Sequence, residues 1–237
     1  YPSSFKAEDF ESSLAEASTS LEYKSQFPSI YHGDIFGENT IESGHEYHIK
    51  WVPGVDVLSR NELSTLFLLN RPRGVAVPMS FSRFGGFHYK FKVDYGSFRD
   101  IQRHRSAFIP MPLVTGTEFE SWYLNEILQL SPDLYKECES FIAKQFSILE
   151  NIKGSVDKYE LQYYYPLGTR VWCDTYMPLP SAVYISELRT TKYVHPTLRT
   201  KIQRLAETIK SHFVQVPIYA DMSVDEFQPS RGKQTIL

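Results

Sequence analysis

The chain has 237 residues, 42% hydrophobic and 22% charged, with a formal net charge of −3. That length supports a substantial core, while the slightly acidic balance gives no global field for nucleic acid and sets a duplex-binding role aside. Two cysteines, Cys138 and Cys173, are too few for a disulfide framework and point to a reduced, cytoplasmic setting; there is no eighteen-residue apolar run to span a membrane and no visible signal peptide.

Along the chain, Phe10, Leu14 and Leu21 with Ala15 and Ala17 suggest a short amphipathic helix, and Phe27 to Thr40 reads as loop. His45 to Trp51 reads as a strand stopped by Pro53-Gly54. Ser59 to Glu62 has capping-box form ahead of the apolar run Leu63 to Leu69, so a helix is expected there, closed by Arg71 to Gly74. "RFGG", Arg83 to Gly86, is a turn before a strand; no dinucleotide fingerprint or phosphate-binding Gly-Lys-Ser/Thr loop is present. In that strand Phe87, Tyr89, Phe91, Val93 and Tyr95 alternate with His88, Lys90, Lys92 and Asp94, the pattern of a half-buried strand.

Gly96 ends it, and Ser97 with Asp100 is expected to cap a helix running through "SFRDIQRHRSAF". Ser131-Pro132 opens another helix, with proline at its first position and Leu134, Cys138, Phe141, Ile142, Ile148 and Leu149 as its apolar side. "YELQYYYPLGTRVWCDTYM" reads as two strands around a "PLGT" turn. Pro180-Ser181 starts a helix ending at Arg189, and His195-Pro196 starts a last one with Leu198, Ile202, Leu205, Ile209 and Phe213 at helical spacing. No repeat or flexible linker divides the chain. It reads as one α+β domain over residues 1–237, a mostly antiparallel sheet flanked by long helices, with 1–58 as an N-terminal extension.

The segment Ser97 to Pro110 poses a chemical question. Residues three and four apart share a helix face, so Phe98, Ile101, Arg105 and Phe108 fall on one stripe, Arg99 and Arg103 on a second, Asp100 and His104 on a third. Arg105 is therefore expected to point into the core, where an unpaired guanidinium is costly and needs an anion. Nearby Asp94, Asp100, Glu118 and Glu120 could supply it as internal ion pairs; so could a ligand's phosphate or acidic heterocycle, which arginine's planar fork suits equally. A second cationic cluster holds Arg189, Lys192, His195, Arg199, Lys201 and Arg204. Arg189 ends one helix and His195 begins the next, where backbone N–H groups favour anions. Lys201 and Arg204 are expected on a solvated helix surface.

These two segments, in this order and spacing, resemble the two signatures of flavin-dependent thymidylate synthases. "YGSFRDIQRHR" is similar to the strand-then-Arg-His-Arg signature, and "YYYPLGTRV…ELRTTKYVHPTLR" to the second: a strand pair, a helix ending Leu-Arg, then a His opening the last helix. The resemblance spans about Tyr89 to Phe213. It implies a thymidylate-synthase-like fold assembled as a homo-oligomer, dimer or tetramer, with FAD at subunit junctions and a pyrimidine nucleotide beside the flavin. A one-carbon unit would pass from methylenetetrahydrofolate to dUMP or a related acceptor, with NADPH as reductant. By that resemblance Arg103, His104, Arg105 and His195 hold the cofactor, Arg189 contacts the pyrimidine and acts in catalysis, and Arg99 joins it in binding substrate. No metal, membrane or nucleic-acid partner is implied.

The chain also departs from the family. Where the family places Ser, then Asn, Gln or Glu, then Ser and Arg, this chain has Phe108, Pro110, Leu113 and Thr115; Pro78 and Met79 replace a His-rich segment, and polar family positions fall on Pro178, Pro180 and Tyr184. The pattern is closer to a divergent branch in which two such units are often joined, and a start at Tyr1 rather than Met fits one unit of such a chain. The alternative is a non-catalytic relative kept as an assembly or regulatory subunit. A third class, single-strand nucleic-acid binding through aromatic strands such as Tyr163 to Tyr165, is opposed by the net charge. His45 and His48 with Glu46 lack helical metal-ligand spacing, and Asp174 is a general base only if burial raises its pKa.

Overall fold

The computed structural model describes residues 40–44 (backbone), 46–54, 71–213, 217–224 and 226–228. The expected helices near Phe10 to Leu21 and after Ser59, most of the Phe27 to Thr40 loop, and His45 lie outside these residues.

Four strands, β1 (Thr40–Gly44), β2 (Tyr47–Pro53), β3 (Gly85–Asp94) and β4 (Arg170–Pro178), form one antiparallel sheet in the order β1-β2-β3-β4. β3 is the central pairing strand, matching Tyr47 to Phe91 on one side and Phe91 to Cys173 on the other. Its inward residues Phe87, Tyr89, Phe91 and Val93 are fully buried. Burying such rings stabilises each position by a few kcal/mol, so β3 anchors the core. A 3₁₀ turn, Met79–Phe84, feeds β3. Gly85 follows it at φ 130, and a Cβ there would lie 2.2 Å from the Val52 carbonyl oxygen, which is why "RFGG" needs glycine at this entry.

Five helices complete the fold among the described residues: α1 (Tyr95–Ile101), α2 (Ser121–Leu130), α3 (Pro132–Ile152), α4 (Leu179–Arg189) and α5 (Pro196–His212). α4 and α5 pack on the aromatic face of the sheet, and Leu198, Ile202, Leu205, Ile209 and Phe213 are all fully buried, as their spacing predicts. The Tyr89 hydroxyl donates to the Lys201 carbonyl at 2.9 Å, tying β3 to α5. α3 begins as predicted, with Ser131 accepting from the Leu134 N–H at 3.3 Å and proline at its first position. Its apolar side is only partly inward, however. Phe146 and Leu149 are buried, whereas Leu134, Phe141 and Ile148 are exposed.

Several expectations are corrected. The helix after β3 ends at Ile101, not beyond Phe108. Pro110 disfavours helical geometry at Ile109 and cannot itself donate inside a helix, and the open edge of β4 offers the chain another partner. Phe108 takes it: its N–H donates to the Tyr176 carbonyl at 2.8 Å and its carbonyl accepts in return at 2.9 Å. Residues 108–120 then follow that edge, pairing again at Phe119 and Thr169. Asp94, not Ser97, caps α1, accepting from the Ser97 N–H at 2.8 Å. Of the two strands expected around "PLGT" only β4 forms; Glu160–Tyr164 is a 3₁₀ turn, so Tyr163 and Tyr164 stand on no sheet platform. β3 is not half-buried, because His88 and Asp94 on its polar side are also buried, each by hydrogen-bonding partners of its own. α2 carries no expectation from the sequence.

Candidate functional site

The site is built where three helix ends meet: the C-terminal ends of α1 and α4 and the N-terminal end of α5. After Ile101 the chain makes tight turns, with the His104 N–H bonding the Ile101 carbonyl at 3.1 Å and the Ala107 N–H bonding the His104 carbonyl at 3.0 Å. These turns throw Arg103 and Arg105 outward and His104 inward. The Ser181 hydroxyl of α4 holds them in place by donating to the Ser106 carbonyl at 3.0 Å.

His104 meets Arg189 there. Arg189 Nε donates to His104 Nε2 at 2.9 Å, and Nη2 donates to the Asp100 carbonyl at 2.9 Å. Arginine only donates, so His104 Nε2 carries the lone pair and its ring proton sits on Nδ1. Burial, then the Arg189 charge, lowers the His104 pKa from 6.5 to about 4, so the ring is neutral at physiological pH. Burial also lowers the Arg189 pKa, with Arg103 adding to the effect and Asp100 opposing it. The Arg189 guanidinium is therefore half-buried, oriented by two neutral acceptors, and touches no carboxylate among the described residues. The Tyr184 ring stands edge-on to His104 at 5.9 Å.

Arg99, Arg103 and Arg105 are exposed, which corrects the stripe reading: Arg105 does not point into the core, because the helix that would have carried it inward has ended. Arg103 approaches Asp100 at 3.5 Å but is 72% exposed, a pairing worth little. Arg99 and Arg105 pair with no carboxylate among the described residues. The internal-carboxylate alternative instead describes other cations. Arg170 bonds Glu46 at 2.6 Å and approaches Glu120 at 3.3 Å, and its bond holds the Glu46 carboxyl down to about 2. Arg199 is buried against the Thr190 and Ser223 carbonyls with Asp221 at 3.9 Å. Lys201 and Arg204 are not simply solvated either: Lys201 lies 3.5 Å from Glu46, and Arg204 covers the Tyr47 ring at 4.4 Å.

His195 caps α5, and the Asp100 charge acts on both histidines. Its ring stacks on Tyr123 at 5.3 Å and lies edge-on to Trp122 at 4.5 Å. Its Nδ1 is 2.8 Å from the Thr197 hydroxyl, which in turn donates to Asp94. Tyr123 donates to the same carboxylate at 3.1 Å. Asp94, Thr197, Tyr123 and Ser181 are site residues that sequence reasoning missed. The Asp-x-x-Ser spacing of an N-cap would have pointed to Asp94; nothing local marks Thr197, 103 positions away.

Three of the cavities among the described residues bear on the site. One of about 230 Å³ on the flank of α4 shares Tyr184, but its Arg71 is neutralised by Glu187. One of about 550 Å³ is lined by Leu113, Thr115, Lys92 and Arg170, whose cations are paired with glutamates. The third, about 740 Å³ and apolar, lies between the α2–α3 hairpin and residues 166–168 and shares Tyr123. Asp174 does not meet the condition for a general base: burial raises its pKa, but the bond to His88 at 2.6 Å and the charges of His88 and Lys90 together outweigh burial and lower it. Among the described residues no cluster of three or more His, Cys, Asp or Glu could hold a metal, and no helix is long and apolar enough to cross a membrane.

No family model matches the chain. A stretch of 131 residues, 54% of this chain, is 31% identical to UPF0159 protein Ta1429 of Thermoplasma acidophilum. The match covers 26% of that protein, about a quarter of its length.

Proposed function

We propose that this chain is a thymidylate-synthase-like flavoprotein unit that binds FAD and a pyrimidine nucleotide and transfers a one-carbon unit from methylenetetrahydrofolate to dUMP or a related acceptor. The observation that carries the reading is the bond between Arg189 and His104: two segments 85 residues apart, each resembling one signature, meet at one point. The residues present suit such ligands. Three exposed arginines without strong internal partners can take phosphate oxygens, and the exposed rings of Tyr184 and Tyr193 offer flat contact.

FAD, when bound, would supply hydride chemistry, with NADPH as its reductant. The chain's own part is electrostatic. Neutral His104 and the Asp100 carbonyl fix the Arg189 fork without cancelling its charge, so it can stabilise negative charge developing on a pyrimidine ring. The buried thiol of Cys173, pushed far up by desolvation, has no part as a nucleophile. The apolar cleft beside Tyr123 suits burial in a homo-oligomer, dimer or tetramer, of the kind the reading requires, and the setting is cytoplasmic.

A second reading rests on Phe108 and Leu113, exposed apolar residues where ligand-holding groups would stand. It makes the chain a non-catalytic assembly or regulatory unit. The relative is about twice this chain's length, which leaves room for a partner unit in either case. NADPH oxidation, measured anaerobically with FAD, methylenetetrahydrofolate and dUMP, separates the two. Nucleotide-dependent oxidation supports the enzyme; flavin binding with no oxidation under any pyrimidine nucleotide supports the subunit.

A further inference from the structure

His195 is more tightly specified than a binding residue needs to be. The Thr197 hydroxyl has one proton and gives it to Asp94 Oδ1. Thr197 Oγ1 is therefore an acceptor toward its two other neighbours, Ser97 Oγ at 2.8 Å and His195 Nδ1 at 2.8 Å. It follows that His195 carries its proton on Nδ1 and a bare lone pair on Nε2, on the far side of the ring from the buried carboxylate. The other Asp94 oxygen is fully engaged by the Ser97 N–H at 2.8 Å and the Tyr123 hydroxyl at 3.1 Å, so Asp94 cannot turn away. Trp122, Tyr123 and Phe227 confine the ring, and no hydrogen bond among the described residues reaches Nε2.

We propose that Asp94 and Thr197 are positioning residues that lock His195 as the Nδ1–H tautomer, leaving Nε2 to accept a hydrogen bond from a hydroxyl or imide N–H of the bound ligand. A phosphate or carbonyl oxygen has no proton to offer this atom, so the site selects the sugar or ring-imide part of a nucleotide over its phosphates. The ligand half rests on the flavin and nucleotide reading above; the tautomer half does not.

The tautomer is read directly from long-range proton–nitrogen-15 spectra of the full chain without ligand. Wild type and Ser97→Ala are expected to show Nδ1 protonated and Nε2 bare. Thr197→Val is expected to give mixed tautomers, and Thr197→Ser to restore the wild-type pattern. A protonated Nε2 in wild type, or an unchanged spectrum in Thr197→Val, overturns the lock. Should Thr197→Val fail to fold, the wild-type spectrum still decides. For the ligand, FAD affinity is expected to fall about tenfold in both His195→Ala and Thr197→Val and to recover in Thr197→Ser. Undiminished FAD affinity in His195→Ala overturns the acceptor role. Absence of FAD binding in wild type overturns that role together with the flavin reading, and the tautomer stands or falls on the spectrum.

Discussion

At His104 burial and then the Arg189 charge fix the protonation state, and the bond from Arg189 fixes the tautomer. Because its folded pKa of about 4 lies below the 6.5 of an unfolded chain, the unfolded chain binds more protons between those values. Stability therefore falls as pH drops from about 6.5 to about 4 and levels off below. We expect this residue to contribute roughly 1–2 kcal/mol over that window. Urea unfolding at stepped pH, compared with His104→Asn, isolates it: the variant should lack that part of the slope. Arg189→Lys keeps the charge but loses the Nε donor, so turnover should drop by about 10²-fold or more while unfolding changes little. Equal turnover in Arg189→Lys would show that the fork geometry is irrelevant.

At the scale of elements, α1 is short and depends on its cap. Asp94→Ala removes the N-cap bond and the acceptor to which the Thr197 and Tyr123 hydroxyls donate, so about 2 kcal/mol or more of stability should be lost, read as a lower urea midpoint. On α3, Phe146→Ala should cost about 3 kcal/mol, and Phe141→Ala, at a ring 68% exposed, less than about 0.5 kcal/mol in the isolated chain. The elements were legible in the sequence where one force dominated. α5 followed from five apolar residues at helical spacing, and α3 from Ser-Pro at its start. The end of α1 was missed because periodicity continued past it: Ile101, Arg105 and Phe108 keep helical spacing, yet Pro110 and the free edge of β4 drew the chain into strand pairing. Alternation in β3 correctly identified its core face. It could not show that His88 and Asp94 would be buried on the other face, because their partners Asp174 and Thr197 lie 86 and 103 positions away.

At the scale of the molecule, the sheet, α4 and α5 form a packed frame whose helix ends bring the two cationic segments together. The motif residues were visible in sequence, but their roles divide in a way that sequence could not show: Arg103 and Arg105 face outward, His104 orients, and Arg189 keeps an uncancelled charge. On the proposed reading these residues form one flavin and nucleotide site. The most direct test is titration of the full chain with FAD, followed by flavin fluorescence, for wild type, the double variant Arg103→Ala/Arg105→Ala, and Arg189→Ala. Saturable binding to wild type and at least about tenfold weaker binding in each variant are expected. No binding by wild type, or equal affinity in all three proteins, would contradict it.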